Sequence, residues 1–72
     1  MVLESEVVKL LGNRIREKRI EKGMSQEVLS FDANIPKNQV GMIERGEINT
    51  TITTLNKISL ALEIPLKELF DF

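Results

Sequence analysis

The stretch SQEVLSFDANIPKNQVGMIERG, residues 25–46, decides the fold of this chain. It predicts two short helices joined by a tight turn. Ser25 is a favourable N-cap for the first helix, and Asn34 is one of the few non-glycine residues that tolerate the left-handed backbone of a tight turn. Pro36 suits the first position of the second helix because its φ is fixed near the helical value. Gly46 then ends that helix.

Helical periodicity continues on both sides of this stretch, so the whole chain is predicted to be all-α. The first helix runs from about Ser5 to Lys22, a fourth follows the N-cap Thr51, and a short fifth follows Pro65. Apolar or small residues at helical spacing in the first four helices are expected in the core: Val8, Leu11, Ile15, Val28, Leu29, Ala33, Val40, Ile43, Ile52, Leu55, Ile58, Ser59 and Leu62. The fifth helix bears Leu66, Leu69 and Phe70. For Leu66, Phe70 and Phe72, packing on the core and a protein–protein contact are both left open.

Composition excludes several classes of function. The 72 residues, 1–72, make one small domain without cysteine or histidine, which removes disulfides, thiolate metal sites and the commonest general base. The carboxylates of the first helix are scattered over its surface, and no catalytic or phosphate-loop arrangement exists. We therefore expect no enzyme activity, no cofactor, no metal and no small-molecule ligand. No apolar stretch is long enough to cross a bilayer, so we expect a cytoplasmic protein without membrane contact.

Charge is nearly balanced, with a formal net charge of −1, but it is unevenly distributed. Lysine and arginine gather in the first helix and return at Lys37 and Arg45, whereas the C-terminal stretch is acidic. One side of the molecule is therefore expected to be basic. The low overall charge predicts modest non-specific affinity for nucleic acid, because few phosphates would be neutralised.

The polar face of the second helix in residues 25–46 holds the candidate binding residues. Lys37, Asn38 and Gln39 are side chains that can contact base edges or phosphates in a groove of DNA. Gly41, Met42 and Arg45 are expected on the same outward side. On the pattern alone, a solvated helix face explains these residues equally well.

Four segments in fixed order resemble the phage repressor and Cro type of helix-turn-helix domain, the XRE type. They are LGNRIREKR, GMSQEVL, IERGE and TLNKISLALEIPLKELF, and together they extend from about Leu11 to Phe70. The resemblance implies a compact five-helix, lambda-repressor-like DNA-binding domain with a helix-turn-helix. It also implies a sequence-specific transcriptional regulator, acting as a repressor, that binds double-stranded DNA as a homodimer.

The resemblance also implies roles for individual residues. Gln26 matches a position that commonly meets the DNA backbone, and Gln39 and Arg45 match flanking or phosphate-side positions. The positions that commonly face bases in the major groove are matched by Pro36, Lys37, Asn38 and Met42.

Arg19 and Glu44 match a partly buried ion pair of the family, with a structural role. The residues support this pairing independently. Arg19 lies on the apolar stripe of its helix and Glu44 adjoins Ile43, and a buried charge needs a partner.

Some positions depart from the family pattern. Pro36 stands where a serine or threonine cap is usual. Gly41 lies inside the second helix of residues 25–46, where glycine is unfavourable, and Met42 cannot form a bidentate hydrogen bond to a base. Glu47 places negative charge near the expected phosphate path. These departures and the acidic balance leave an alternative open: a protein–protein interaction module, or an antagonist of a regulator, on the same fold.

Residues 1–10 form an N-terminal helical extension beyond the minimal domain. Leu3, Val7 and Leu10 share a stripe distinct from that of the core residues. The extension is either an extra helical turn packed on the core or an additional protein–protein contact.

Overall fold

The structure, a computed structural model, describes residues 4–72, so Leu3 of the predicted stripe lies outside the described residues. The described part of the chain is helical and contains no strand. Its elements in chain order are α1 (Glu4–Glu21), α2 (Gln26–Ala33), α3 (Lys37–Glu44), α4 (Ile52–Ala61) and a 3₁₀ helix (Leu66–Phe70). The all-α prediction is confirmed, with the difference that the fifth element is a 3₁₀ helix of 5 residues.

Local capping signals begin and end the central helices as predicted. The Ser25 hydroxyl accepts a hydrogen bond from the backbone N–H of Val28 at 3.0 Å, and the Thr51 hydroxyl accepts one from Thr54 at 3.1 Å. Asn34 adopts the left-handed conformation, with φ 57°, at the end of α2. These caps satisfy backbone groups that the helix ends would otherwise leave unpaired.

Pro36 is the N-cap of α3 and not its first helical residue, which corrects the sequence prediction by one position. Its ψ of 139° is extended, and the helix proper begins at Lys37. Proline carries no side-chain acceptor, so α3 begins without a capping hydrogen bond.

Ten buried apolar side chains form one core to which every helix contributes. They are Leu11, Ile15, Leu29, Ala33, Val40, Ile43, Leu55, Ile58, Leu62 and Leu69. Full burial of an aliphatic side chain of this size contributes about 1.5–3 kcal/mol, so this cluster is the main stabilising term. Ser30 and Ser59 are buried as well, and each hydroxyl bonds to a carbonyl of its own helix.

Several residues that were predicted to be buried are not. Val28 is 47% exposed and Ile52 is 63% exposed. Val28 precedes Leu29, and one residue corresponds to a rotation of about 100° around the helix. Helix α2 is buried only on the side of Leu29, so Val28 faces away from the core. Val8 is half-buried. Phe70, whose place the sequence left open, is 40% exposed.

Gly12 allows α1 to approach the end of α3 closely. A Cβ atom at this position would collide with the carbonyl oxygen of Ile43 and would lie 2.8 Å from that of Glu44. Only glycine therefore fits here, although it lies in the interior of a helix where glycine is otherwise unfavourable. This contact positions the C-terminal end of α3 against α1.

Candidate nucleic-acid interface

An open groove of about 650 Å³ lies between the start of α2 and the outer face of α3. We call it the α2–α3 groove. Its lining residues are Gln26, Lys37, Asn38, Gly41, Met42, Arg45 and Glu47. It therefore brings together most of the residues predicted from the sequence to contact DNA. Of that set, Pro36 and Gln39 lie outside the lining; Pro36 is exposed and Gln39 is half-buried.

Helical spacing explains why α3 presents these side chains on one side. Lys37, Gly41 and Arg45 follow one another at intervals of four residues, as do Asn38 and Met42, so both series lie on neighbouring stripes of the helix. The opposite side of α3 is in the core, with Val40, Ile43 and Glu44 buried. Because this side of α3 packs in the core, the polar side of the helix faces outward.

Lys37 forms an ion pair with Glu27, a residue of α2. The two side chains are 69% and 71% exposed, and the ammonium nitrogen lies 2.8 Å from the carboxylate Oε2. The hydrogen bond and charge attraction raise the pKa of Lys37 and lower the pKa of Glu27. Both groups are therefore charged at neutral pH. Lys37, the first residue of α3, is thus already paired with an acidic side chain.

Arg45 forms a bidentate ion pair with Glu47, two residues further along the chain. Its Nε donates to Oε2 at 2.7 Å and its Nη2 donates to Oε1 at 3.2 Å. The hydrogen bond is the main cause that lowers the pKa of Glu47. Both side chains remain about half exposed, at 56% and 51%. The second cation of the groove is thus also paired within the chain.

A buried network anchors the edge of the groove. Arg19 of α1 donates to both carboxylate oxygens of Glu44, at 2.7 and 3.1 Å, and to the carbonyl oxygen of Met24 at 2.7 Å. Gln26 donates from its Nε2 to Glu44 Oε1 at 3.0 Å. These contacts tie α1, the start of α2 and the end of α3 together, and they orient the Gln26 side chain.

Gly41 is buried beneath two side chains of the groove, which corrects its predicted place on the outward surface. A Cβ atom here would lie 2.9 Å from Arg45 Nη1 and 3.2 Å from Gln26 Oε1. The missing side chain therefore leaves room for the Arg45 guanidinium and the Gln26 amide to lie across α3.

Four features of the groove and of the helices that support it were not predicted from the sequence. The Glu27 partner of Lys37, the Gln26–Glu44 hydrogen bond and the close approach at Gly12 all depend on how the helices cross. Glu47 was recognised as negative charge near the groove, but its pairing with Arg45 was not. The short spacing of Arg45 and Glu47 around a glycine turn was the only local signal available.

Residues 4–72 offer neither a metal site nor a membrane span. No group of three or more acidic, histidine or cysteine side chains there is placed to hold a metal ion. Within the same residues, no helix is both long enough and apolar enough to cross a membrane.

Comparison with known proteins identifies the family. Residues 15–69 match the model of a family described as helix-turn-helix. The chain is 39% identical over 64 residues to control protein C.BamHI of Bacillus amyloliquefaciens, covering 88% of this chain and 79% of that protein. It is 35% identical over 63 residues to the HTH-type transcriptional regulator SinR of Bacillus subtilis, covering 86% of this chain but only 57% of SinR.

A solved structure shows the same fold. The crystal structure of the restriction-modification controller protein C.AhdI from Aeromonas hydrophila superposes with a TM-score of 0.86 at 40% identity. The match covers 88% of this chain and 96% of that chain. The chain therefore belongs to the XRE-type helix-turn-helix family, as its sequence pattern indicated. It is a DNA-binding transcriptional regulator and not an enzyme.

Proposed function

We propose that this chain is a homodimeric, cytoplasmic repressor that reads a two-fold-symmetric operator with α3. The observation that carries the proposal is the convergence of Gln26, Lys37, Asn38, Met42 and Arg45 on the α2–α3 groove. These side chains belong to α2 and α3 or directly follow α3, and they line one groove. Together they offer hydrogen-bond donors to phosphates and both donors and acceptors to bases.

Base reading would fall to the first turn and a half of α3. Lysine donates to the O6 and N7 atoms of guanine, and asparagine pairs in a bidentate manner with adenine. Lys37 and Asn38 therefore provide the direct hydrogen bonds, while Met42 is suited to contact a thymine methyl group. Pro36 begins the helix next to them and supplies apolar contact only.

Phosphate contacts would fix the position of α3 on the duplex. We assign these contacts to Gln26 at the start of α2, to Arg45 after α3, and to Gln39, which lies in α3 outside the groove lining. Contacts of this kind carry no sequence information but set the register of the helix.

A dimer is favoured by the small size of one reading surface. Helix α3 has 8 residues, and a helix of that length extends about 12 Å, so one copy contacts only a few base pairs. The net charge of −1 adds little general attraction to DNA. Two copies would place α3 in successive major grooves about 34 Å apart and add their binding energies.

The target genes are proposed from the relatives. Control protein C.BamHI and the restriction-modification controller C.AhdI are matched over most of their own lengths, whereas SinR is matched over little more than half. We therefore assign this chain a controller role for restriction and modification genes, including its own promoter region. An inverted repeat upstream of the gene is the expected operator.

Fluorescence anisotropy on the duplex upstream of its own gene tests the proposed reading residues. Lys37→Ala combined with Asn38→Ala should abolish the preference for this duplex over a shuffled one. The matched control is Asn56→Ala combined with Lys57→Ala, which removes the same two residue types from exposed positions of α4. If both double variants bind like the wild type, Lys37 and Asn38 do not read the operator. Light scattering on the free protein should return the mass of a dimer.

A further inference from the structure

We infer that Glu27 and Glu47 are specificity-determining residues that restrain Lys37 and Arg45 from binding non-operator DNA. The inference rests on the proposed function and assigns to two acidic residues of the interface a role that opposes binding. It explains why a protein of this class carries carboxylates within contact distance of both cations that line its groove.

The positions of the two carboxylates carry the inference. Each cation of the α2–α3 groove has one acidic partner, at 2.8 Å for Lys37 and 2.7 Å for Arg45. Neither partner belongs to α3, because Glu27 comes from α2 and Glu47 from the loop after α3. The restraint therefore comes from the segments that frame the reading helix, and both sides of the groove have one.

Exposure makes these pairs breakable. All four side chains are more than half exposed. Exposed ion pairs contribute little because solvent and salt screen them, so a phosphate or a base can displace the carboxylate. The Arg19–Glu44 pair is different, since only 1% of the Glu44 side chain is exposed. The structure thus contains one permanent pair that holds the helices and two exchangeable pairs in the groove.

The energetic effect differs between operator and other DNA. When a cation moves to DNA, its carboxylate is left beside the phosphates, or takes up a counterion, and part of the gain from counterion release is lost. The cost of breaking the pair is the same on any sequence, so a difference between sequences needs a contact that the freed carboxylate forms only at the operator. A carboxylate accepts a hydrogen bond from the N4 amino group of cytosine, and the base contacts of Lys37 and Asn38 hold α3 at the operator in the position where such a contact forms. On other sequences the carboxylate stays unpaired beside the phosphates, so Glu27 and Glu47 weaken non-specific binding more than specific binding.

The variants Glu27→Gln and Glu47→Gln, singly and together, test the inference. Glutamine keeps the shape of each side chain and removes its charge. Glu63→Gln is the matched control, because it makes the same change at an exposed residue outside the groove. Binding is measured by anisotropy on the upstream duplex and on a shuffled duplex, both about 24 base pairs long so that two half-sites fit.

On the shuffled duplex, each single variant should bind about two- to fivefold more tightly than the control, in line with the strength of an exposed ion pair. The double variant should gain more than either single one. The slope of log affinity against log salt concentration should steepen by up to about one for each released cation, measured from about 50 to about 200 mM KCl. The gain on the upstream duplex should be smaller, so the preference for that duplex falls.

A further arm separates pairing from general charge. In a Lys37→Met background, Glu27→Gln should give no more than the gain of the Glu63→Gln control, because its partner is absent. An undiminished gain in that background overturns the pairing with Lys37 as the cause. Thermal melting of all variants verifies that the fold is retained.

The remaining outcomes distinguish this inference from the proposed function. If the wild type prefers the upstream duplex and the double variant matches Glu63→Gln on both duplexes, the inference fails and the proposed function stands. Equal gains on both duplexes also overturn it, since they show no effect on specificity. If neither the wild type nor the double variant binds any duplex at low salt, both fail. Binding by the double variant alone also overturns the inference, because Glu27 and Glu47 would then block binding to all DNA and not set a preference between sequences.

Discussion

The Nε of Arg19 lies 2.7 Å from Oε2 of Glu44, and this ion pair joins α1 to the last turn of α3 beneath the edge of the groove. Only 12% of the Arg19 side chain and 1% of the Glu44 side chain are exposed. Gln26 completes the network through Glu44 Oε1. The same carboxylate therefore stabilises the crossing of α1 and α3 and orients a side chain proposed to contact DNA.

Removal of one partner of this pair should be strongly destabilising. Glu44→Leu leaves the Arg19 guanidinium buried without its counter-charge, which costs about 3–5 kcal/mol. At roughly 0.05–0.15 kcal/mol per residue, a chain of 72 residues has an unfolding free energy of about 4–11 kcal/mol, so the variant should lose a large part of its stability. Far-ultraviolet circular dichroism with urea titration at low temperature measures the loss.

A double variant tests whether the loss comes from the unpaired charge. Arg19→Met combined with Glu44→Leu replaces the pair with apolar side chains and should be more stable than Glu44→Leu alone. Glu47→Gln, which removes an exposed carboxylate nearby, should leave the urea midpoint close to that of the wild type. Equal instability of the single and double variants would contradict this account of the network.

Gly12 should not accept even the smallest side chain. Gly12→Ala places a methyl group against the backbone carbonyls of Ile43 and Glu44, which cannot move without separating α1 from α3. We expect a loss of about 1–3 kcal/mol in the free energy of unfolding, larger than the helix propensity that alanine adds.

Urea denaturation measures this effect, with Arg16→Ala as the control on the same helix. Arg16 is exposed, and its replacement should leave the midpoint near that of the wild type. If Gly12→Ala is as stable as the wild type, the close approach of the two helices is not needed for the fold.

Local signals in the sequence were sufficient to predict the helices and the turn. Ser25 and Thr51 act through hydrogen bonds within three residues, and Asn34 acts through its own backbone conformation. Such effects depend on chain neighbours and can be read without knowledge of the tertiary structure. The outward face of α3 likewise followed from spacing along one helix, since Lys37 and Arg45 are separated by about two turns.

Contacts between helices could not be predicted in the same way. Glu27 precedes Lys37 by ten positions, and their contact depends on the angle at which α2 and α3 cross. The burial of Gly41 depends on where the long side chains of Arg45 and Gln26 come to rest. Val28 shows the same limit, because a helix of 8 residues has too few apolar positions to define which side faces the core.

DNA affinity should be independent of pH near neutrality. None of the 72 residues is a histidine or cysteine, so no side chain has an ordinary pKa between about 6 and 8. Hydrogen bonds from Lys37 and Arg45 lower the pKa of Glu27 and Glu47 from the ordinary value of a glutamate, so both carboxylates remain charged throughout this interval. The restraint on Lys37 and Arg45 is therefore constant there.

Acid pH should remove the contribution that the Lys37–Glu27 and Arg45–Glu47 pairs make to stability. The small contribution of these pairs to stability is present above the ordinary pKa of a glutamate and is lost as the pH falls through the lowered pKa of each carboxylate. DNA affinity is measured by anisotropy titration at about pH 6, 7 and 8 and constant ionic strength. The affinity of the wild type should be the same at all three pH values, and so should that of Glu27→Gln. A pH-dependent ratio of the two affinities would show that Glu27 titrates near neutrality.

Gly41 offers a substitution that should move stability and DNA affinity in opposite directions. Gly41→Ala improves the helix propensity of α3 by about 0.5–1 kcal/mol. The added methyl group meets only the ends of the Arg45 and Gln26 side chains, which can swing aside without moving the backbone. Arg45 would then leave its place in the groove, while Gln26 needs to shift only slightly and keeps its hydrogen bond to Glu44.

We therefore expect Gly41→Ala to raise the urea midpoint and to weaken binding to the upstream duplex severalfold. Gly23→Ala is the contrasting control, because Gly23 has a φ of +70° and no atom within 4 Å of the added Cβ. It should lose about 1–2 kcal/mol of stability through backbone strain while DNA affinity, measured well below the melting temperature, stays unchanged. Unaltered DNA affinity in Gly41→Ala would mean that the position of Arg45 across α3 does not contribute to binding.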